Sequence, residues 1–113
     1  MIQFIDTEAC ERVGVGPGLG TAAEIMGPER CGAQNGRGLL RRVGPGERVE
    51  AEALPGARQL LYLMEGAGTI ELGGKAHPAG AGMGVFLDLG EGAVVRHTGG
   101  APLKVFHLIV PKE

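Results

Sequence analysis

The feature that most limits this chain is its punctuation. From Gly36 onward a glycine- or proline-containing turn interrupts the sequence about every 8–12 residues, and each interval holds one short apolar run. The turns are GPGE (Gly44–Glu47), PGA (Pro55–Ala57), EGAG (Glu65–Gly68), GG (Gly73–Gly74), GEG (Gly90–Gly92) and GGAP (Gly99–Pro102). The runs between them are too short for helices and show no sustained 3.6-residue period. They predict seven strands: GLLRRV (Gly38–Val43), RVEAEAL (Arg48–Leu54), QLLYLM (Gln59–Met64), TIEL (Thr69–Leu72), VFLDL (Val85–Leu89), AVVRHT (Ala93–Thr98) and LKVFHLIV (Leu103–Val110). KAHPAGAGMG (Lys75–Gly84) reads as a strand-poor connection. This is the pattern of an all-β sandwich or barrel.

Composition agrees. Glycine and proline make up about a quarter of the 113 residues, a level that taken alone hints at disorder. The 43% hydrophobic content, gathered into runs, argues for a core instead. With no Trp, one Tyr and three Phe, that core is built mainly from Leu, Val, Ile, Ala and Met. A length of 113 residues allows one domain. Residues 1–35 are expected to form an N-terminal arm and edge strands, with IQFI (Ile2–Ile5) as a short edge strand, and residues 36–113 the barrel.

Charge and motif spacing exclude several function classes. The net charge is −2, from 11 basic and 13 acidic residues without long runs, so no basic face for nucleic acid is expected. No apolar run reaches the roughly 20 residues of a membrane span, and the first residues are not a signal peptide, so the chain is expected to be soluble and cytoplasmic. The glycines of GVGPGLGT (Gly14–Thr21) do not form a phosphate loop. Leu19 stands where a dinucleotide fingerprint needs its third glycine, and no lysine precedes Lys75 to complete a Walker motif. That segment reads as a surface loop. Cys10 and Cys31 are expected to be free thiols.

The order of elements from Gly44 to Pro111 resembles a small single-domain cupin, a β-barrel of the jelly-roll type. The resemblance rests on Pro45–Gly46, on Gln59, Tyr62, Leu63, Met64, Gly66 and Gly68, on Gly82–Gly90, and on Gly99–Leu103. It implies a cupin-like fold. Short edges and apolar strands such as QLLYLM and FHLIV lead to an expected homodimer, by sheet extension or face packing, and the resemblance points the same way. It also implies where a metal would be held. Counting back from Gly66, the family's ligand positions fall on Ala53, Pro55 and Gln59, and in the second motif on Ala93. Alanine and proline offer no lone pair, and neutral glutamine replaces a carboxylate poorly. A shift of one residue places Glu52 and Leu54 at the histidine positions. Neither a metal nor another cofactor is therefore expected.

The candidate site lies in the barrel interior. The two-residue side-chain period puts Ala93, Val95 and His97 on one face of their strand, so His97 is expected to point inward. Gln59 is expected to share that space, with Leu61 and Val95 lining an apolar pocket. Three readings stay open: a metal-independent small-molecule binding protein, a metal-free isomerase or lyase with His97 as acid/base, and a divergent metal enzyme drawing on Glu52, His97 or His107. The plainer reading of His97 is a hydrogen bond to a backbone carbonyl or to Gln59. His107, among apolar neighbours, reads as a satisfied core or interface residue, and His77 as a surface residue. Parity assigns Tyr62 to the face opposite Gln59 in a packing role. Only one of the adjacent Arg41 and Arg42 can face inward, where it would favour an anion. Each is expected on the solvated surface.

Overall fold

Alternation within each run decides which side chains meet. In the strand carrying QLLYLM, Gln59, Leu61 and Leu63 are 0–2% exposed, while Tyr62 and Met64 on the opposite face are 41% and 43% exposed. The same alternation in its neighbours produces a two-layered barrel with an apolar interior.

The structure is a computed structural model that describes residues 6, 10–26 and 36–111. Among the described residues it contains ten strands and no helix: β1 (Val13–Gly14), β2 (Thr21–Met26), β3 (Arg37–Val43), β4 (Arg48–Ala51), β5 (Ala57–Glu65), β6 (Ala67–Leu72), β7 (Lys75–Gly80), β8 (Gly84–Leu87), β9 (Ala93–His97) and β10 (Leu103–Pro111). All pairings are antiparallel. One sheet has the order β1-β2-β3-β10-β5-β8 and the other β4-β9-β6-β7. Their facing sides bury Val43, Val49, Leu61, Leu63, Ile70, Leu87, Val95, Leu103 and Val105 in one cluster. This is the all-β architecture expected from the turn spacing, in the jelly-roll form that the family resemblance implies.

Three local differences have physical causes. KAHPAG forms strand β7, paired with β6 from Leu72–Lys75 to Ala67–Gly80. Pro78 is tolerated there because β7 is the edge of its sheet and need not donate on its outer side. The strand in RVEAEAL stops at Ala51, because the following turn is pinned by Ala57 N–H and Gly90 N–H donating to the Leu54 carbonyl at 3.3 and 2.9 Å. GVGPGLGT is the tip of the β1–β2 hairpin, which continues the larger sheet beyond β3. The hairpin also reaches the other sheet, since Arg48 N–H donates to the Gly18 carbonyl at 2.8 Å. Gly20 allows this seating: at φ +67° a Cβ there would lie 2.2 Å from the Arg42 carbonyl oxygen. Cys10 is a buried free thiol whose Sγ lies 3.4 Å from the Asp6 carbonyl. Cys31 and the IQFI strand lie outside the described residues.

Candidate ligand site in the barrel interior

Three adjacent strands of the larger sheet, β3, β10 and β5, each send one polar side chain inward. Arg41 is opposite Val105, His107 is opposite both Leu39 and Leu61, and Gln59 is opposite Ile109. Cross-strand partners share a face, so Arg41, His107 and Gln59 form a diagonal across three strands on the interior side. All three are buried, at 5%, 4% and 2% exposure. Apolar side chains surround them. The sheet therefore builds a polar line into an otherwise hydrophobic interior.

The hydrogen bonds along that line have one consistent direction. Gln59 Nε2 donates to the Glu52 carbonyl at 2.8 Å, which leaves Oε1 as the acceptor for His107. His107 Nε2–H donates to that Oε1 at 2.7 Å. Its Nδ1 then carries the lone pair and accepts from Arg41 Nη1 at 3.2 Å. The ring is thus the neutral Nε2–H tautomer. Burial, and next the charges of Arg41 and Arg37, push its pKa down to about 4. An imidazolium here would turn a second N–H toward a cation.

Arg41 ends the line and is incompletely partnered. Among the described residues its Nε–H, although buried, has no hydrogen-bond acceptor. Desolvation lowers its pKa, opposed by the charge of Glu50, but a guanidinium stays protonated. The Glu50 carboxylate is itself engaged by Arg48 Nε at 2.6 Å. This corrects the expectation of a solvated Arg41. Parity let only one of the two arginines turn inward, and it is Arg41. Arg42 takes the outer face, half-buried.

The residues singled out in the sequence are thereby separated. Leu61 and Val95 are interior and fully buried. Gln59 is interior, but its partner is His107. His97 is half-buried, and its Nε2 donates to the Ala101 carbonyl at 2.7 Å, tying down the β9–β10 loop. The two do not share a space. Gln59 is bonded next to the Ala51–Ala93 pair, whereas His97 lies four residues further along β9, about 13 Å at the usual strand rise. His107 is a satisfied core residue with both ring nitrogens bonded, and His77 is exposed. Tyr62 faces away from Gln59 and lies opposite Phe106. Glu52 is exposed and contributes its backbone carbonyl, not its carboxylate, to the line. Of the four family ligand positions, Ala53 and Pro55 are exposed and Gln59 and Ala93 buried. Among the described residues no group of three His, Cys, Asp or Glu side chains is placed to hold a metal ion.

A concavity of about 430 Å³ opens on the smaller sheet, lined by Glu50, Glu52, Glu71, Val94 and Arg96 among others. Two of its three carboxylates are engaged, Glu50 by Arg48 and Glu71 by Arg96. Surface pairs of this kind need no ligand to explain them. The interior line is the better candidate.

Comparison with known proteins supports the fold. No family model matches the chain, and no curated protein matches it. Among solved structures, it is similar to a predicted oxalate decarboxylase from Thermotoga maritima, with TM-score 0.82, 23% identity and coverage of 96% of this chain and 99% of that one. It is similar to KdgF from Halomonas sp., with TM-score 0.79, 15% identity and coverage of 100% and 96%. It is also similar to a sugar phosphate isomerase from a cupin superfamily from Silicibacter pomeroyi, with TM-score 0.79, 18% identity and coverage of 97% and 76%. Another similar structure, from Klebsiella pneumoniae, is described as having a double-stranded β-helix domain. These likenesses show the fold, a double-stranded β-helix. The neighbours carry names from different chemistries, so function has to be argued from the site.

Proposed function

We propose that this cupin-fold chain is a metal-independent binding protein for a small molecule, held at the polar end of the barrel interior by Gln59, His107 and Arg41. The observation that carries this reading is the buried Arg41–His107–Gln59 line itself. Placing a guanidinium, an imidazole and an amide inside an apolar core is unfavourable unless their polar atoms are satisfied, and replacing buried charges with apolar residues often stabilises a fold. A recognition role explains why this one has them. Leu61 and Val95, both fully buried in the core, are the apolar side of the proposed site. His97 is left out of the site because its ring donor is committed to Ala101. The reading includes a homodimer, packed on the outer face of the six-stranded sheet.

The test is a small-fragment screen followed by methyl NMR of Leu61 and Val95. A saturable binder that shifts both, and that binds at least about tenfold more weakly to Gln59→Leu, is the expected result; tenfold corresponds to one lost hydrogen bond of about 1.4 kcal/mol. Elemental analysis of protein purified without chelators is expected to give sub-stoichiometric transition metal. If no fragment moves the interior methyls, the binding function is rejected.

A further inference from the structure

We infer that the molecule bound in the interior is a small oxyanion, a carboxylate or phosphate of few atoms, and that the Nε–H edge of Arg41 is its primary contact. The inference rests on the interior-binding reading above and specifies its chemistry.

Arg37, Arg48, Arg58 and Arg96 each bond a carboxylate, from Glu24, Glu50, Asp88 and Glu71 respectively. All four are more exposed than Arg41. Arg41, the one most removed from water, has among the described residues only a neutral imidazole as hydrogen-bond partner. The pattern is inverted with respect to need, because a buried cation requires a counter-charge more than an exposed one does. Glu50 acts on Arg41 through space, but its carboxylate accepts from Arg48 on the outer face. No carboxylate of the described residues bonds Arg41. An anion at Arg41 would supply that counter-charge.

The geometry specifies what kind. The bond to His107 uses Nη1, which leaves the Nε–H edge of the planar fork without an acceptor. That edge presents parallel N–H groups, the arrangement that a carboxylate or phosphate accepts in bidentate fashion. A neutral polar ligand could accept from Nε–H but would leave the charge uncompensated. The neighbouring line is fixed by the Glu52 carbonyl at its far end, so Arg41 is held in place before any ligand arrives. Arg37, on the same face of β3, is paired with Glu24 at 3.4 Å and does not compete for the anion.

The experiment follows the Arg41 side chain directly. In ¹⁵N-labelled protein the Nε–Hε cross peak of Arg41 is titrated with acetate, with inorganic phosphate, and with acetamide as the neutral match to acetate. The Leu61 and Val95 methyls report occupancy of the interior in the same samples. A saturable shift of Arg41 Hε with acetate or phosphate, at least about tenfold weaker or absent with acetamide, is expected, since a charge-assisted hydrogen bond contributes that factor or more. The stronger of the two anions identifies carboxylate or phosphate as the class. Arg41→Met should abolish the methyl response to the anion. Should that variant not fold, the acetate–acetamide contrast in the unaltered protein decides by itself. If acetamide saturates the methyls while no anion moves Arg41 Hε, the anion class is overturned and the interior-binding reading stands. If no probe moves either reporter, both are overturned.

Discussion

Protonating His107 would set an Nδ1–H against the Arg41 N–H that Nδ1 now accepts, so the native state resists that proton. The ring's pKa is pushed down to about 4 in the folded protein and returns to the ordinary histidine value of about 6.5 on unfolding. Between those values the unfolded chain binds more protons, and stability therefore falls as the pH drops from about 6.5 toward 4. The slope contributed by this one group is at most about 1.4 kcal/mol per pH unit. The charged or polar groups facing the ring are Arg41 and Arg37 from β3 and Gln59 from β5. Urea denaturation between pH 7 and 4.5 should show the decline, and His107→Gln should remove most of it. An unchanged slope in the variant would place the titration elsewhere. His97 offers the contrast: His97→Ala loses one bond to a loop carbonyl, so it should cost only about 0.5–1.5 kcal/mol and leave interior binding intact. Retained stability with lost binding would return His97 to the site. Of these residues, Gln59 was legible by counting back from Gly66, and the core character of His107 by its Leu103, Val105 and Ile109 face. Arg41 was not. Two adjacent arginines satisfy either parity, and only the registration of β3 against β10, set by contacts 66 residues apart, selects which one turns inward.

At the scale of elements, the glycines of the EGAG turn show why this part of the fold could be read from sequence. Gly68 passes so close to β9 that a Cβ would lie 2.4 Å from the Arg96 carbonyl oxygen. The β6–β9 pairing, Gly68 opposite His97 through Glu71 opposite Val94, depends on that approach. Gly68→Ala should therefore push β6 away from β9 and destabilise the fold by about 1–3 kcal/mol, the usual range for overpacking a tight site. Hydrogen exchange should show the loss first in the β6 and β9 amides; a variant with unaltered exchange would mean the strands can part freely. Backbone approaches of this kind demand glycine locally, and so they leave a mark in the sequence. Strand β7 leaves none, because its proline and small residues carry no alternation and it is recruited only by pairing with β6. The β1–β2 hairpin was similarly hidden, since its place beside β3 is decided by tertiary seating at Gly20 and Gly18.

Across the whole molecule, the six-stranded sheet has two apolar faces and only one of them is in the core. On the outer face Leu40 and Ala23 are covered, at 1% and 0% exposure, near the β2–β3 side. Toward β5 and β8 the same face is open: Phe86 is 60% exposed and Tyr62 41%. Tyr62 lies opposite Phe106, and Leu60 lies between Leu108 and Phe86, so the exposed groups are contiguous. A patch of this kind marks an association surface when it is large. The homodimer proposed above would pack here rather than at a sheet edge. Strand β8, the open edge of that sheet, is only four residues long and offers few backbone groups for strand addition. The two geometries predict different mutants. Face packing buries Phe86, so Phe86→Glu should convert a dimer to a monomer in sedimentation equilibrium while leaving the interior methyl spectrum unchanged, because the side chain points out. Sheet extension would tolerate that charge at its rim and keep the dimer. A wild-type chain that stays monomeric at every concentration would remove both geometries, and the open face would then need another occupant.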